Sequence, residues 1–393
     1  MPANKRQKHI PAQTGQYSIS RRRRKQRLLI IISAIVVVLL VAGAWVYFRF
    51  RTFDKVKVTS SLELANSDEQ TTITPHNNGF MRCSCEGVTF FDRKGIIWAE
   101  SFTMAQPITA SCGTFFAVAD MKGKDVYLYD GSGLCGRITM GHVITDIEVS
   151  EQGVVAAATS EGDANYIEVV DRDGRELVTA KSVFASSGYL TDIALSNDGS
   201  KLVALYAYVS EGTLESKAVF YDFDGSNGGE DMVVGGFNQY QGTILTTAKF
   251  MSGGKVCVIG DNAYTIYDYR DKPTILAEEL NLDVQIQYLF FDEKHIGLIV
   301  EDEMSESSYV LKVLNLQGKE ILNKGFDFAF NKATFTGYGV AIYSAADLDI
   351  ISFAGVQKCS IAMDERIVAI CSCGNERDLV YGSAVDTEFI KLR

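Results

Sequence analysis

The rhythm of apolar and polar positions changes once along this chain, near residue 52. From Leu28 to Phe48 the sequence LLIIISAIVVVLLVAGAWVYF carries no charge, and only Ser33 interrupts its aliphatic stretch with a polar side chain. With a rise of about 1.5 Å per residue, a helix of that length crosses a hydrocarbon core of roughly 30 Å. Beyond Thr52 short β-branched and aromatic runs alternate with polar positions and stop at Gly, Asp, Asn or Ser, which predicts an all-β domain. The expected organisation is a basic, disordered cytoplasmic tail over 1–27, a transmembrane helix over 28–48, a short linker over 49–54 and one β domain over 55–393.

Within the β domain one unit recurs: an alternating strand, an Asp or Asn, a turn with Gly, then another strand. It is read in VTFFDRKGIIWAE from Val88, DVYLYDGSGLCGRIT from Asp125, YIEVVDRDGRELVTA from Tyr166 and AVFYDFDGSNGG from Ala218. YTIYDYRDKPTILAE from Tyr264, YVLKVLNLQGKEIL from Tyr309 and DIISFAGVQKCSI from Asp349 continue it. The corners Asp92, Asp130, Asp171, Asp222, Asp268, Asn315 and Ser352 are spaced by 38, 41, 51, 46, 47 and 37 residues. A period in the low forties is that of a four-stranded propeller blade. Asp and Gly suit such corners because Gly takes positive φ freely and Asp hydrogen-bonds its own turn, so the corner acids are expected to serve turns and not catalysis. A second unit precedes several corners, as in TDIEVSEQGVVAAATS from Thr145 and TDIALSNDGSKLVALYA from Thr191, and predicts inner strands that turn at Gln152-Gly153 and Asp198-Gly199.

The last segment offers three strands, RIVAICS, LVYGSAV and TEFIKLR, and stops before a fourth. Lys55 to Leu64, KVKVTSSLEL, is a strand with no blade of its own and is expected to close the ring as the outermost strand beside TEFIKLR. Closure removes the open edge that would otherwise recruit other chains. The predicted fold is an all-β propeller of eight blades, or seven if a terminal repeat is misread, preceded by one N-terminal transmembrane helix.

Charge orients this arrangement. Residues 1–51 hold eleven Lys and Arg and no acid, leaving 27 basic and 49 acidic side chains, net −22, for the remainder. Arg21, Arg22, Arg23, Arg24, Lys25 and Arg27 precede the apolar run while Arg49 and Arg51 follow it, so the positive-inside rule places the N-terminus in the cytoplasm and the large domain outside. Trp45, Tyr47 and Phe48 fall where aromatic rings prefer the headgroup region. The rival is a cleaved signal peptide at Ala42-Gly43-Ala44, disfavoured because the apolar run continues past that site. An acidic ectodomain repels phosphate backbones, so nucleic acid is not expected as a partner; the bilayer, through Leu28 to Phe48, is.

At Phe91-Asp92-Arg93-Lys94-Gly95-Ile96-Ile97-Trp98 the corner unit resembles the quinoprotein-type propeller repeat. As a whole, the basic tail, signal anchor and divergent propeller resemble an uncharacterised family of membrane-anchored propeller proteins from Gram-positive bacteria, a domain of unknown function. That resemblance implies a non-catalytic scaffold. Quinoprotein enzymes use repeated docking tryptophans, and this chain has only Trp45 and Trp98; WD40-like features reduce to one Gly-His, Gly141-His142.

Catalytic chemistry finds little purchase. His9 is assigned to the cytoplasmic tail, and His76, His142 and His295 fall in different blades. No G-x-S-x-G, phosphate-binding glycine loop or H-E-x-x-H occurs, so no catalytic residue and no cofactor is expected. Two Cys-Ser-Cys units, Cys83/Cys85 and Cys371/Cys373, lie in the first and last blades, which ring closure makes neighbours. Three readings stay open for them: small side chains packed between blades, disulfides, or a four-thiolate metal site whose Cys-x-Cys spacing departs from the common zinc pattern. Cys112, Cys135, Cys257 and Cys359 are scattered without ligand spacing, and the acidic stretch from Glu301 to Glu306 reads as a solvated hairpin loop in the sixth blade. The expected function is an extracytoplasmic binding or scaffold module for a protein or peptide of the cell envelope. The alternative is a divergent envelope enzyme, hydrolase or oxidoreductase, with its site at the propeller funnel.

Overall fold

The computed structural model describes the backbone from residue 16 and side chains from residue 29, apart from residues 65–69, 225–231, 302–305, 338, 376 and 384. It divides into two units, 1–52 and 53–393. In the first, one helix runs Gln16–Phe50, of which Leu29–Phe50 is long and apolar enough to cross a membrane. Helix therefore covers part of the basic segment expected to be disordered, while His9 and the rest of 1–15 lie outside the described residues. Near the helix end Arg49 sits 5.0 Å over the Trp45 ring and Arg51 5.8 Å over Tyr47, joining cations to the amphipathic rings.

In the second unit eight four-stranded sheets succeed one another, at 72–101, 107–139, 143–183, 189–241, 245–279, 285–326, 332–362 and 367–392, the last completed by Val56–Leu62. The order in this eighth blade puts Val56–Leu62 outermost, antiparallel to Thr387–Leu392 with Val56 opposite Leu392 and Leu62 opposite Thr387. The orphan strand thus closes the ring as its sequence predicted. The expected linker is shorter, because Phe53 is already buried and bridged to Cys359, with its N–H donated to the Lys358 carbonyl at 2.7 Å.

Eight apolar clusters, one for each pair of neighbouring blades, hold the circle together. Phe80, Phe91, Val380 and Phe389 fill the joint between blades 8 and 1, and Phe53 joins the cluster between blades 7 and 8. Second strands such as Gly79–Ser84, Lys255–Gly260 and Gly339–Tyr343 are buried nearly throughout, because each blade is covered on both faces. This is why they read as unbroken apolar runs, whereas outer strands such as Gly95–Ser101 alternate toward solvent.

All seven corner residues lie where the third strand turns into the fourth, and each side chain caps its own turn. Asp92 Oδ1 accepts from Lys94 N at 2.7 Å, Asp171 Oδ1 from Arg175 N at 2.8 Å, Asn315 Oδ1 from Gln317 N at 2.9 Å, and Ser352 Oγ from Val356 N at 3.2 Å. Gly153 and Gly199 sit at φ 79° and 72° in the predicted inner turns, a region a Cβ disfavours. Turns from first to second and from third to fourth strand share one face, here the hairpin face. Turns from second to third strand and the crossings between blades share the other, the crossover face.

Candidate functional site

On the hairpin face, turns of blades 1, 6, 7 and 8 surround a recess of about 930 Å³. Ile73, Phe80, Phe291, Phe335 and Ile370 give it apolar walls, and Arg93, Lys94, Asp292 and Glu293 bring both signs of charge to it. Arg93 is placed by the blade 1 corner and reaches across the ring closure, where Nη2 meets Asp378 Oδ2 of blade 8 at 2.8 Å. Asn375 Nδ2 donates to the same oxygen at 3.0 Å, and Lys391 Nζ lies 3.5 Å from Oδ1. Burial works against the Asp378 charge, yet Arg93 and Asn375 hold its carboxyl below the usual range.

Cys371 and Cys373 line this recess, Cys371 at the end of the first strand of blade 8 and Cys373 in the turn that follows. Cys83 and Cys85 stand at the other face, where the second strand of blade 1, Gly79–Ser84, turns into the third. First strands run the same way around the ring, so a strand length of about 20 Å separates the two units and the four sulfurs do not converge. Adjacent blades were a correct expectation; the strand to which each unit belongs decides the face. Cys85 Sγ instead contacts Gln70 Oε1 at 3.1 Å. All eight cysteines are thiols, with Cys83, Cys257, Cys359 and Cys371 buried and Cys135 exposed. Among the described residues no group of three or more His, Cys, Asp or Glu side chains is placed to hold a metal.

The inner wall of the ring carries a cluster that motif reading passed over. First strands of blades 3, 4, 5, 6 and 8 share a register shift, as between Ile144 and Asp146 and between Leu190 and Asp192. Beside these bulges Asp146 Oδ1 accepts from Ile147 N at 2.9 Å, and Asp192 Oδ2 from Ala248 N of the next blade at 2.6 Å. The two carboxyls act on each other's charge, while Glu148 Oε1 pairs with Lys249 Nζ at 3.2 Å. Burial, then the Glu148 charge, raises Asp146 to about 6; burial, then Asp146, raises Asp192 well above the ordinary range. The signal was the repetition of Thr-Asp-Ile at Thr145 and Thr191 at equal distance from each inner turn.

The histidines remain apart. His76 is buried edge-on to Phe90 and Phe116, and burial lowers its pKa. His142 stacks on Tyr166 at 3.8 Å, with Nδ1 2.8 Å from Glu168 Oε1, and Thr159 Oγ1 donates to that oxygen at 2.7 Å. The Gly-His pair thus ties a blade crossing to the second and third strands of blade 3. His295 Nδ1 meets Asp292 Oδ2 at 2.8 Å. No nucleophile faces any of the three among the described contacts.

Comparison with solved structures finds propellers. Chaetomium thermophilum Sqt1 bound to the N-terminus of the ribosomal protein L10 is 12% identical over 86% of this chain and 100% of that chain, with a TM-score of 0.54. A Kuenenia stuttgartiensis hydrazine synthase chain is 15% identical over 75% and 95% of the two chains at a TM-score of 0.47. The Neurospora crassa Pan2 WD40 domain is 12% identical over 73% and 88% at 0.45. At such identities the likeness is one of fold. No curated protein matches the sequence. Residues 49–392, the entire propeller with its approach, match the family of unknown function DUF5711, and the chain belongs to that family.

Proposed function

We propose that this protein is a membrane-tethered, extracytoplasmic propeller that binds a protein or peptide of the cell envelope at the hairpin-face recess. The observation that carries the reading is the recess itself. It is wide, drawn from four blades, apolar in its walls and charged at its turns, which suits an extended polypeptide better than a small substrate. Sqt1, of similar fold, is a propeller with a polypeptide N-terminus bound. The envelope-enzyme alternative has the paired Asp146 and Asp192 to draw on, but Asp146 accepts the N–H of Ile147 in its own strand and Asp192 that of Ala248 in the next blade, so both are engaged in holding inner strands.

A photocrosslinking side chain at exposed Lys94, beside the recess, should give one discrete adduct in native membranes, reduced by Arg93→Glu. The same group at exposed Lys181 on the outer rim of blade 3 serves as the control. Equal adducts from both positions, or none from Lys94, would remove the recess as the binding face.

Topology has its own reporter in Cys135, the exposed thiol. A membrane-impermeant maleimide applied to intact cells should label Cys135 and spare Cys257, which is wholly buried and whose thiol burial pushes far up. Labelling of Cys135 only after lysis would reverse the assignment and put the propeller inside.

A further inference from the structure

We propose that the cleft between blades 1 and 2 on the crossover face is a binding site for a primary alkylammonium group, as carried by a lysine side chain. The cleft holds about 440 Å³, enough for such a chain and its adjoining backbone, and it lies on the face opposite the recess. This inference therefore stands on observations separate from those behind the proposed partner.

Three carboxylates line the cleft, and two are engaged. Asp120 accepts from Gln106 N at 2.8 Å and Ala105 N at 3.2 Å, fixing the crossing from blade 1 to blade 2. Asp125 is held by Arg137 Nη2 and Thr139 Oγ1, each at 2.7 Å. Glu100, half-buried on the outer strand Gly95–Ser101, has no hydrogen bond or ion pair among the described residues. The Lys124 ammonium, the one cation lining the cleft among those residues, is turned to the Gly141 carbonyl at 2.7 Å.

The second observation is Tyr129. Its side chain lines the cleft, is wholly buried, and its hydroxyl has no partner. A buried hydroxyl left unsatisfied loses its hydration without compensation, so native proteins rarely keep one without a reason. Burial, then the charge of Glu100, raises the Tyr129 pKa, which puts that carboxylate within electrostatic reach of the ring. An ammonium group supplies what both lack: N–H donors for the hydroxyl oxygen and for Glu100, and a positive charge. Phe102 and Tyr127, stacked at 6.5 Å, add aromatic surface for the methylene stem. An anion would meet Glu100, Asp120 and Asp125 at once, and an apolar group would leave the hydroxyl and Glu100 unanswered.

Trp98 stacks on Tyr129 at 5.4 Å and reports on the cleft. In the full chain with Trp45→Phe, held in nanodiscs, Trp98 is the sole tryptophan. Its emission should change saturably with N-α-acetyl-lysine amide and not with N-α-acetyl-norleucine amide, which has the stem without the charge. Glu100→Gln should weaken the lysine probe about tenfold, the loss of one charge-assisted hydrogen bond, with an unchanged melting temperature. Tyr129→Phe, which keeps the stack, should weaken it about threefold. Cadaverine separates the sources: affinity equal to that of the lysine probe marks a free amine as ligand, and weaker affinity a lysine within a polypeptide, while both outcomes uphold an ammonium site. Norleucine amide binding as well as lysine amide, Glu100→Gln without effect, or no saturable change with either amine would overturn the proposal. Crosslinking at Lys94 reads the other face, so each reading can fail alone.

Discussion

A soluble propeller that begins at Asn66 should not close its ring, whereas one that begins at Thr52 should fold as a monomer. The shorter chain lacks Val56–Leu62, and Thr387–Leu392 is left with a free hydrogen-bonding edge. It also lacks Phe53 and Leu64, which are 6% exposed in the clusters that flank the closure. Replacing either by Ala in the longer chain should cost about 3 kcal/mol, as for other large-to-small core changes. Losing both together with the strand should lower the melting temperature by on the order of 10 °C and leave an edge that recruits other copies. Light scattering and thermal unfolding of the two forms decide the matter. Equal melting temperatures and equal monomer content would show that residues 55–64 are a connector that contributes nothing to closure.

Asp192→Asn should stabilise the propeller at neutral pH, against the usual outcome for altering a buried hydrogen-bonded side chain. In the native protein Asp146 and Asp192 face each other, with Glu148 adding negative charge and Lys249 answering mainly Glu148. Both carboxyls are raised in the folded state, Asp146 to about 6, so between about pH 4 and 6 the folded form binds protons that the unfolded form has released. Stability from this pair is present at low pH and lost as pH rises through about 6. Asparagine keeps an oxygen to accept the Ala248 N–H and removes one of the two charges. The expected gain is on the order of 2 kcal/mol at pH 7.5 and near zero at pH 4.5. Rim acids behave in the opposite sense: Asp268, lowered by Arg270 and then Lys255, and Asp125, lowered by Arg137 and then Thr139, lose their contribution only as pH falls below the ordinary carboxylate range. The native protein should therefore be most stable near pH 4 and lose stability as pH rises from there to about 6. Unfolding from pH 4.5 to 8 for both proteins tests this, and a variant that is less stable than native at pH 7.5 would refute the relief of repulsion.

Much of the architecture was legible in the chain because a propeller is built from local hairpins. Each corner cap is a side chain accepting from an N–H two to four residues ahead, so Asp92 through Ser352 announced the turns, and their period announced the blades. Even the closing strand was visible, since three strands at one end of the chain and one at the other leave a single way to complete a sheet. The apolar N-terminal helix was equally local, a matter of length and apolar composition.

What the sequence did not determine are relations between blades, which depend on how far each strand is carried around the ring and which way it runs. The two Cys-Ser-Cys units are alike in sequence and adjacent in blade order. One ends a second strand and the other a first, however, so chain direction sends them to opposite faces. Asp146 and Asp192, 46 positions apart, come to act on each other's charge because consecutive inner strands repeat one bulge around the ring. Glu100 and Tyr129 meet for the same kind of reason, an outer strand of one blade packing on the third strand of the next. Local hydrogen bonding determined the blades; the packing of blade on blade decided which side chains share a site.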